Sequence, residues 1–288
     1  MDSSAPEQAV QSRAAAATEP EITTERSGSI LRARMNRPAK KNAMTSAMYT
    51  AIADLLNDAD KDDDIRVAVL RGAGDSFTAG NDLVDFQKNP PEAGDSPQAR
   101  FTEALINFSK PLIAAVHGAA VGSGTTMLLH FDFVYAAENT KFQMPFVNLA
   151  LVPELGSSYL LPAQAGHLAA TEVILLGSPF DARRALELGL VTRVLSEQDV
   201  LPTAMETAQK LSEKPAGALQ ASKRLLKRAS RELTAGAAKA ENQEFSARLL
   251  SADAKEAMTA FLERRRPDFT KTKSSKAGLS KDAPPAGH

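Results

Sequence analysis

Two stretches of small residues, FTAGNDL at 77–83 and HGAAVGSGTT at 117–126, each follow an apolar run of strand type, and Glu154 stands further on in LVPELGSS. Small residues after a strand let backbone N–H groups approach a ligand closely, and two such groups from separate loops can hold one developing oxyanion. With a carboxylate in reach to move a proton, the combination points to chemistry on a carbonyl. In the first stretch Gly72, Gly74, Ala79 and Gly80 flank Phe77, so the backbone turns sharply and leaves the amide of Asn81 free to face a cleft. In the second, Gly118, Gly122 and Gly124 precede a helix. Its first N–H groups are unpaired and its dipole favours negative charge, which puts Ser123 where an oxyanion is welcome. No Lys-Ser/Thr pair follows, so this is not a P-loop. Glu154 also fits a plainer role, an acid complementing the dipole of a helix that starts near Gly156. Asp82, after a turn and before a helix, reads as an N-cap; Asp132 reads as structural, and His117, at the end of an apolar strand, as a core histidine.

The elements that must position these groups alternate. Residues 29–35 read as a strand, 36–43 (NRPAKKNA) as a turn, and Thr45 as the N-cap of a helix over 45–60 whose Met48, Ile52, Leu55 and Leu56 keep helical spacing. Buried strands are predicted at 66–72, 112–117 and 131–137, with a short helix at 125–130. Such alternation implies a parallel sheet with crossovers. Beyond Pro162 helices are predicted at 167–176, 181–188, 199–213, 215–231, 234–250 and 251–265, interrupted by a strand at 191–195. A boundary is placed near residue 200, between an α/β core (21–200) and a helical C-terminal part (201–269). Residues 1–20 contain Asp2, Glu7 and Glu19 without an apolar stretch, so they read as a disordered extension rather than a secretory or transit peptide. Residues 270–288, rich in Lys, Ser, Pro and Gly, read as a disordered tail.

Composition excludes several classes. Of 288 residues, 34 are Lys or Arg and 35 Asp or Glu, a net charge of −1 that predicts neither nucleic-acid nor membrane-surface binding. The absence of cysteine rules out disulfides and thiolate chemistry, and four scattered histidines make no metal-ligand spacing. No run approaches the ~20 apolar residues of a membrane span. A cytoplasmic location is the expectation.

The run from FTAGNDL through KPLIAAVHGAAVGSGTTMLLHFDFVYAA to FQMPFVNLALVPELGSSYLLP resembles the crotonase superfamily, the enoyl-CoA hydratase/isomerase family. The resemblance extends over residues 22–269, taking in NRPAKKNA, SPFDARRALELGLVTRVL and AFLERRRPDF. It implies an α/β fold with a crotonase-like ββα spiral core, a C-terminal helical trimerisation region, assembly as a homotrimer or dimer of trimers, and an acyl-CoA substrate whose thioester carbonyl is gripped by two peptide N–H groups. The family's AG-x-D motif begins here at Ala79 and puts the first donor at Asn81. The second falls on Ser123, where relatives commonly have glycine; serine still donates its N–H if φ stays negative.

Hydration in this family uses two glutamates, and their positions here are Thr126 and Phe146, neither of which supplies a base. Glu154 instead occupies the place where peroxisomal-type Δ3,Δ2-enoyl-CoA isomerases, similar in a PEG-x-SSY segment, use a glutamate. Moving a double bond needs one base that takes a proton from C2 and returns it at C4, and burial among Phe146, Leu151 and Leu155 would raise the pKa of Glu154 toward neutrality. The resemblance further implies that Lys40 and Asn42 lie near the CoA moiety, that Phe146 lies against the substrate, and that Arg264, Arg265 and Arg266 reach toward CoA phosphates, with Ser157 and Tyr159 shaping the pocket. The expected activity is isomerisation of 3-enoyl-CoA to 2-trans-enoyl-CoA. The alternatives are an enoyl-CoA hydratase or other crotonase-type lyase, and a non-catalytic acyl-CoA-binding protein. No metal and no cofactor beyond the CoA thioester substrate is expected. Acyl-chain length depends on residues 84–108, within which 89–97 reads as a mobile loop.

Overall fold

VAVLRG opens with four successive apolar residues and LIAAV is apolar throughout, as central strands covered on both faces must be. They form β3 (Val67–Gly72) and β4 (Leu112–Val116) in a computed structural model that describes residues 19–89, 94–270 and 272. The predicted terminal extensions therefore lie outside the described residues except at 19, 20, 270 and 272, as do 90–93 of the predicted loop.

The main sheet has six strands. At one edge β1 (Ile22–Ser27) pairs antiparallel with β2 (Ile30–Met35); β3, β4, β6 (Phe133–Ala137) and β9 (Arg193–Leu195) follow in parallel. A second sheet of three short strands joins β5 (Ala119–Val121), β7 (Lys141–Gln143) and β8 (Phe180–Asp181). Strands β1, β5, β7 and β8 were not predicted.

The alternation of β4 divides the core. Leu112, Ala114 and Val116 face a cluster with Met48, Tyr49 and Ile52 of α1 (Ser46–Lys61), while Ile113 and Ala115 face the opposite layer. Between β3 and β4 the chain forms α2 (Leu83–Lys88) and α3 (Pro97–Asn107); after β5 it forms α4 (Ser123–Thr126), which a 3-10 turn extends to His130. Then come α5 (Ser157–Ala165), α6 (His167–Leu176) and α7 (Ala182–Glu187).

The expected boundary near residue 200 falls inside α8 (Glu197–Ser212), whose Val200, Ala204 and Ala208 pack on the second face of the main sheet. The helices that stand off that sheet are α9 (Ala216–Lys227), α10 (Arg231–Leu249) and α11 (Ala252–Leu262). Phe245, Leu249 and Met258 of α10 and α11 close a third cluster with Met144, Phe146 and Leu151, beside the segment that carries Glu154.

Candidate active site

The two small-residue loops lie side by side because their backbones pair. Thr78 N–H donates to Ala119 C=O (3.0 Å) and Val121 N–H to Thr78 C=O (3.0 Å). Gly80 makes this approach possible: its φ is +83°, and a Cβ there would sit 2.5 Å from the Val121 oxygen. Asn81 is held in register by Met44, whose N–H donates to Gly80 C=O (2.7 Å) and whose C=O accepts from Asp82 N–H (2.9 Å). Among the described residues neither the Asn81 N–H nor the Ser123 N–H, the first amide of α4, has a hydrogen-bond acceptor. Ser123 has helical rather than left-handed backbone, so the side chain that replaces the usual glycine imposes no strain.

The side chains behind these amides form a chain of polar contacts. The Tyr49 hydroxyl oxygen is 2.6 Å from Asn81 Oδ1 and 2.6 Å from Ser123 Oγ. A phenol has one hydrogen, so Tyr49 donates to the carboxamide oxygen and the Ser123 hydroxyl donates to Tyr49. The Asn81 side chain also stands close enough to Glu154 to favour its charged form. Glu154 is 8% exposed, and its Oε1 is buried without a partner. Burial first, and then the neighbouring Glu241 carboxylate, push its pKa up to about 8 against the opposing influence of the Asn81 side chain. Burial, with Glu154 second, also pushes the Tyr49 hydroxyl well above its ordinary range.

Glu154 opens onto a space of about 20 Å³ walled by Phe86, Gln98, Asn242 and Phe245. Phe86 and Phe245 meet edge to face (centroids 5.8 Å apart) and also wall a cavity of about 580 Å³. Lys40, Ala79, Gly80, Asn81, Gly122, Phe146 and Leu151 line that cavity. Lys40 and Lys88 stand at it without an ion-pair partner among the described residues, whereas Arg37 is paired with Glu21 and Asp82.

Several predicted site residues sit elsewhere. Asn42 does not face the cavity: it is fully buried, accepting from Arg37 N–H (2.9 Å) and donating to the carbonyls of Ala73 (2.8 Å) and Ser76 (2.7 Å). It satisfies the backbone of a tight turn and has no capacity left for a CoA contact. Leu155, predicted to wall Glu154, turns into the main core with φ +62°. Ser123 is fully buried and does not itself line the cavity, which Gly122 before it does. Arg265 is engaged by Glu256 and Glu263, and Tyr159 lies on neither cavity wall. Asp82 caps α2 by accepting from Val84 and Asp85 N–H, and Asp132 accepts from Leu112 N–H and Lys223; His117, expected in the core, is only half-buried and bonds Gly74 C=O (2.9 Å). Thr126, at the first hydratase position, returns its hydroxyl to Gly122 C=O (3.3 Å). Among the described residues no group of three or more His, Cys, Asp or Glu could hold a metal ion.

Tyr49 and Glu241 were not anticipated. Each carries a sequence signal: Tyr49 shares the buried face of α1 with Met48, Ile52, Ala53 and Leu56, and Glu241 is a charge on the buried stripe Thr234, Ala238, Glu241, Phe245, Leu249 of α10.

Comparison with known proteins places this geometry in context. Residues 25–272 match the family described as enoyl-CoA hydratase/isomerase. The chain is 35% identical over 246 residues to the 1,2-epoxyphenylacetyl-CoA isomerase of Escherichia coli (strain K12), across 82% of this chain and 93% of that protein. It is 36% identical over 253 residues to the enoyl-CoA delta isomerase 2 of Rattus norvegicus, across 85% of this chain but only 63% of the rat protein. Hydratases stand among the relatives at similar identity. Among solved structures, Pseudomonas aeruginosa OdaA superposes with a TM-score of 0.83 at 43% identity, across 85% of this chain and 99% of that one.

Proposed function

The chain belongs to the enoyl-CoA hydratase/isomerase family, with the crotonase α/β fold and a C-terminal helical region, and from that premise we propose that it converts 3-enoyl-CoA to 2-trans-enoyl-CoA, with Glu154 as the proton shuttle. The observation that carries this reading is the environment of Glu154: a buried carboxyl with one oxygen unpartnered, facing a small space whose walls, Phe86 and Phe245, also line the larger cavity with Asn81. The acids that line the larger cavity are committed, Asp82 to Arg37 and the α2 cap, Asp85 to Ser46.

In the proposed reaction the ionised Glu154 removes a proton from C2 of the 3-enoyl thioester, and the electron pair moves onto the thioester oxygen as a dienolate. The N–H groups of Asn81 and Ser123 bind that oxyanion where charge develops. Protonated Glu154 then delivers the same proton to C4, leaving the conjugated 2-enoyl product and a carboxylate ready for another cycle. A carboxyl with a pKa near the working pH both accepts and releases a proton readily. The substrate's own CoA thioester is the only activated group required. Lys40 and Lys88 are assigned to the CoA phosphates, and the exposed Leu225, Leu226 and Leu250 of the C-terminal region to a trimer or dimer-of-trimers interface.

The test is turnover of a 3-enoyl-CoA such as 3-hexenoyl-CoA, followed as the conjugated product, by the wild type and Glu154→Gln. Glu154→Gln is expected to lose roughly 10²–10⁴-fold in rate while still folding and binding acyl-CoA. Rapid conversion of a 2-enoyl-CoA to 3-hydroxyacyl-CoA would replace this reading with a hydratase. Thermal stabilisation by acyl-CoA with no turnover would replace it with a binding protein.

A further inference from the structure

The turn that carries Glu154 closes on itself through Ser157 N–H to the Glu154 C=O (3.1 Å), but leaves the Gly156 and Ser158 N–H groups to be met from elsewhere. Leu155 and Gly156, which follow it, are successive left-handed residues (φ +62° and +71°), a conformation a leucine rarely adopts. Gly156 is also the N-cap of α5 and has no side chain with which to satisfy that helix's first amides. The missing acceptors come from another part of the chain. Glu241 of α10, 6% exposed, accepts from Gly156 N–H with Oε2 (2.6 Å) and from Ser158 N–H with Oε1 (2.7 Å). The approach is close, since a Cβ on Gly156 would sit 2.8 Å from Thr234 Cγ2 on the same helix. From the opposite side His130 Nε2 bonds the Leu155 carbonyl (2.6 Å). Two N–H donors facing two oxygens suit a carboxylate, whereas the NH₂ of a glutamine would confront one of them.

We propose that Glu241 is a positioning residue for Glu154: from the C-terminal helix α10 it clamps the turn from which Glu154 projects and sets a second buried carboxyl group against it. This rests on the reading of Glu154 as the proton shuttle. The helix outside the α/β core thereby governs both where the base stands and how readily it ionises. Like charges resist simultaneous ionisation, and Glu241 is, after burial, the group that raises Glu154. Burial likewise raises Glu241, with the bonds from Ser158 and Gly156 acting the other way. The other titratable group coupled to Glu154 is Tyr49 from α1, and Asn81, Ser96, Gln98 and Asn242 around it are uncharged.

The experiment is a titration of ¹³C-labelled glutamate carboxyls by NMR in the intact protein without substrate, with Glu154 assigned by Glu154→Gln. The Glu154 midpoint is expected to fall by about one unit or more in Glu241→Gln and to stay high in Glu241→Asp, which keeps the charge. Glu241, whose carboxylate accepts from two N–H groups, ionises before Glu154. In the wild type the Gly156 and Ser158 amide resonances should therefore shift with that first step and Glu154 should titrate only above it, which leaves the proposal open to refutation even if Glu241→Gln does not fold. The pH at which kcat/KM reaches half its plateau should move with the Glu154 midpoint, which a merely structural role of Glu241 would not cause. An unmoved Glu154 midpoint in folded Glu241→Gln, or Gly156 and Ser158 amides that do not respond to the first of the two glutamate ionisations in the wild type, overturns the proposal. The coupled shifts in a protein that fails to isomerise 3-enoyl-CoA would support it while faulting the assigned reaction.

Discussion

Glu154 is neutral over much of the physiological range, because a carboxyl pushed up to about 8 is mostly protonated at pH 7. If its ionised form takes the C2 proton, kcat/KM for a 3-enoyl-CoA should climb about tenfold per pH unit below roughly 8 and level off above it. Steady-state kinetics between pH 6 and 9.5 read this directly; a rate that is flat across that range would remove Glu154 from the proton-abstracting role. The residue was legible because LVPELGSS carries a recognisable acid at a recognisable spacing. The Asn81 amide was legible from AG-x-D, but the second use of the same residue, a carboxamide oxygen that accepts from Tyr49, was not. That use depends on α1 delivering Tyr49 from 32 residues away, a contact no local pattern encodes. Asn42 misled for the opposite reason: a polar residue in an exposed-looking turn was the one needed inside it to satisfy carbonyls.

Elements bring these residues within bonding distance only where the backbones come very close, as they do at Gly80. Alanine there meets both a positive φ and an oxygen at 2.5 Å, so Gly80→Ala should destabilise the protein by about 1–3 kcal/mol. Displacing the Asn81 amide from the Gly122 loop should also lower turnover by roughly 10- to 100-fold. Gly217→Ala is the matched control: it lies exposed in α9 with nothing within 4 Å of an added Cβ, and should be neutral or stabilising by up to about 1 kcal/mol. Urea unfolding of both variants, with kinetics on the first, separates local crowding from a general effect of alanine. The central strands were visible as apolar runs, whereas β1 (ITTERS) is a largely exposed edge strand without apolar alternation. Strands β5, β7 and β8 have three, three and two residues, too few to show any period. Their partners, not their composition, make them strands.

The molecule as a whole is tied together through buried groups that cost stability in opposite pH directions. The C-terminal helices contribute Phe245, Leu249 and Met258 to the cluster beneath the cavity and Glu241 to the Glu154 turn, so the predicted division into core and helical part does not separate the site from α10. His130, buried and bonded to Leu155, is depressed to about 4, chiefly by burial. Its contribution is present above its ordinary value near 6.5 and is lost as pH falls through 4. Glu154 runs the other way: raised from 4.5 to about 8, it contributes stability that is complete below 4.5 and is lost as pH rises through 8. Glu154→Gln keeps the shape and removes the ionisation. The variant should therefore exceed the wild type in stability at pH 9 by on the order of a few kcal/mol, with the gap closing as pH falls toward 4.5. Urea unfolding at pH 5, 7 and 9 measures it. A gap that does not change with pH would mean that Glu154 ionises alike in the folded and unfolded chain, and the burial that prepares it as a base would then be absent in solution.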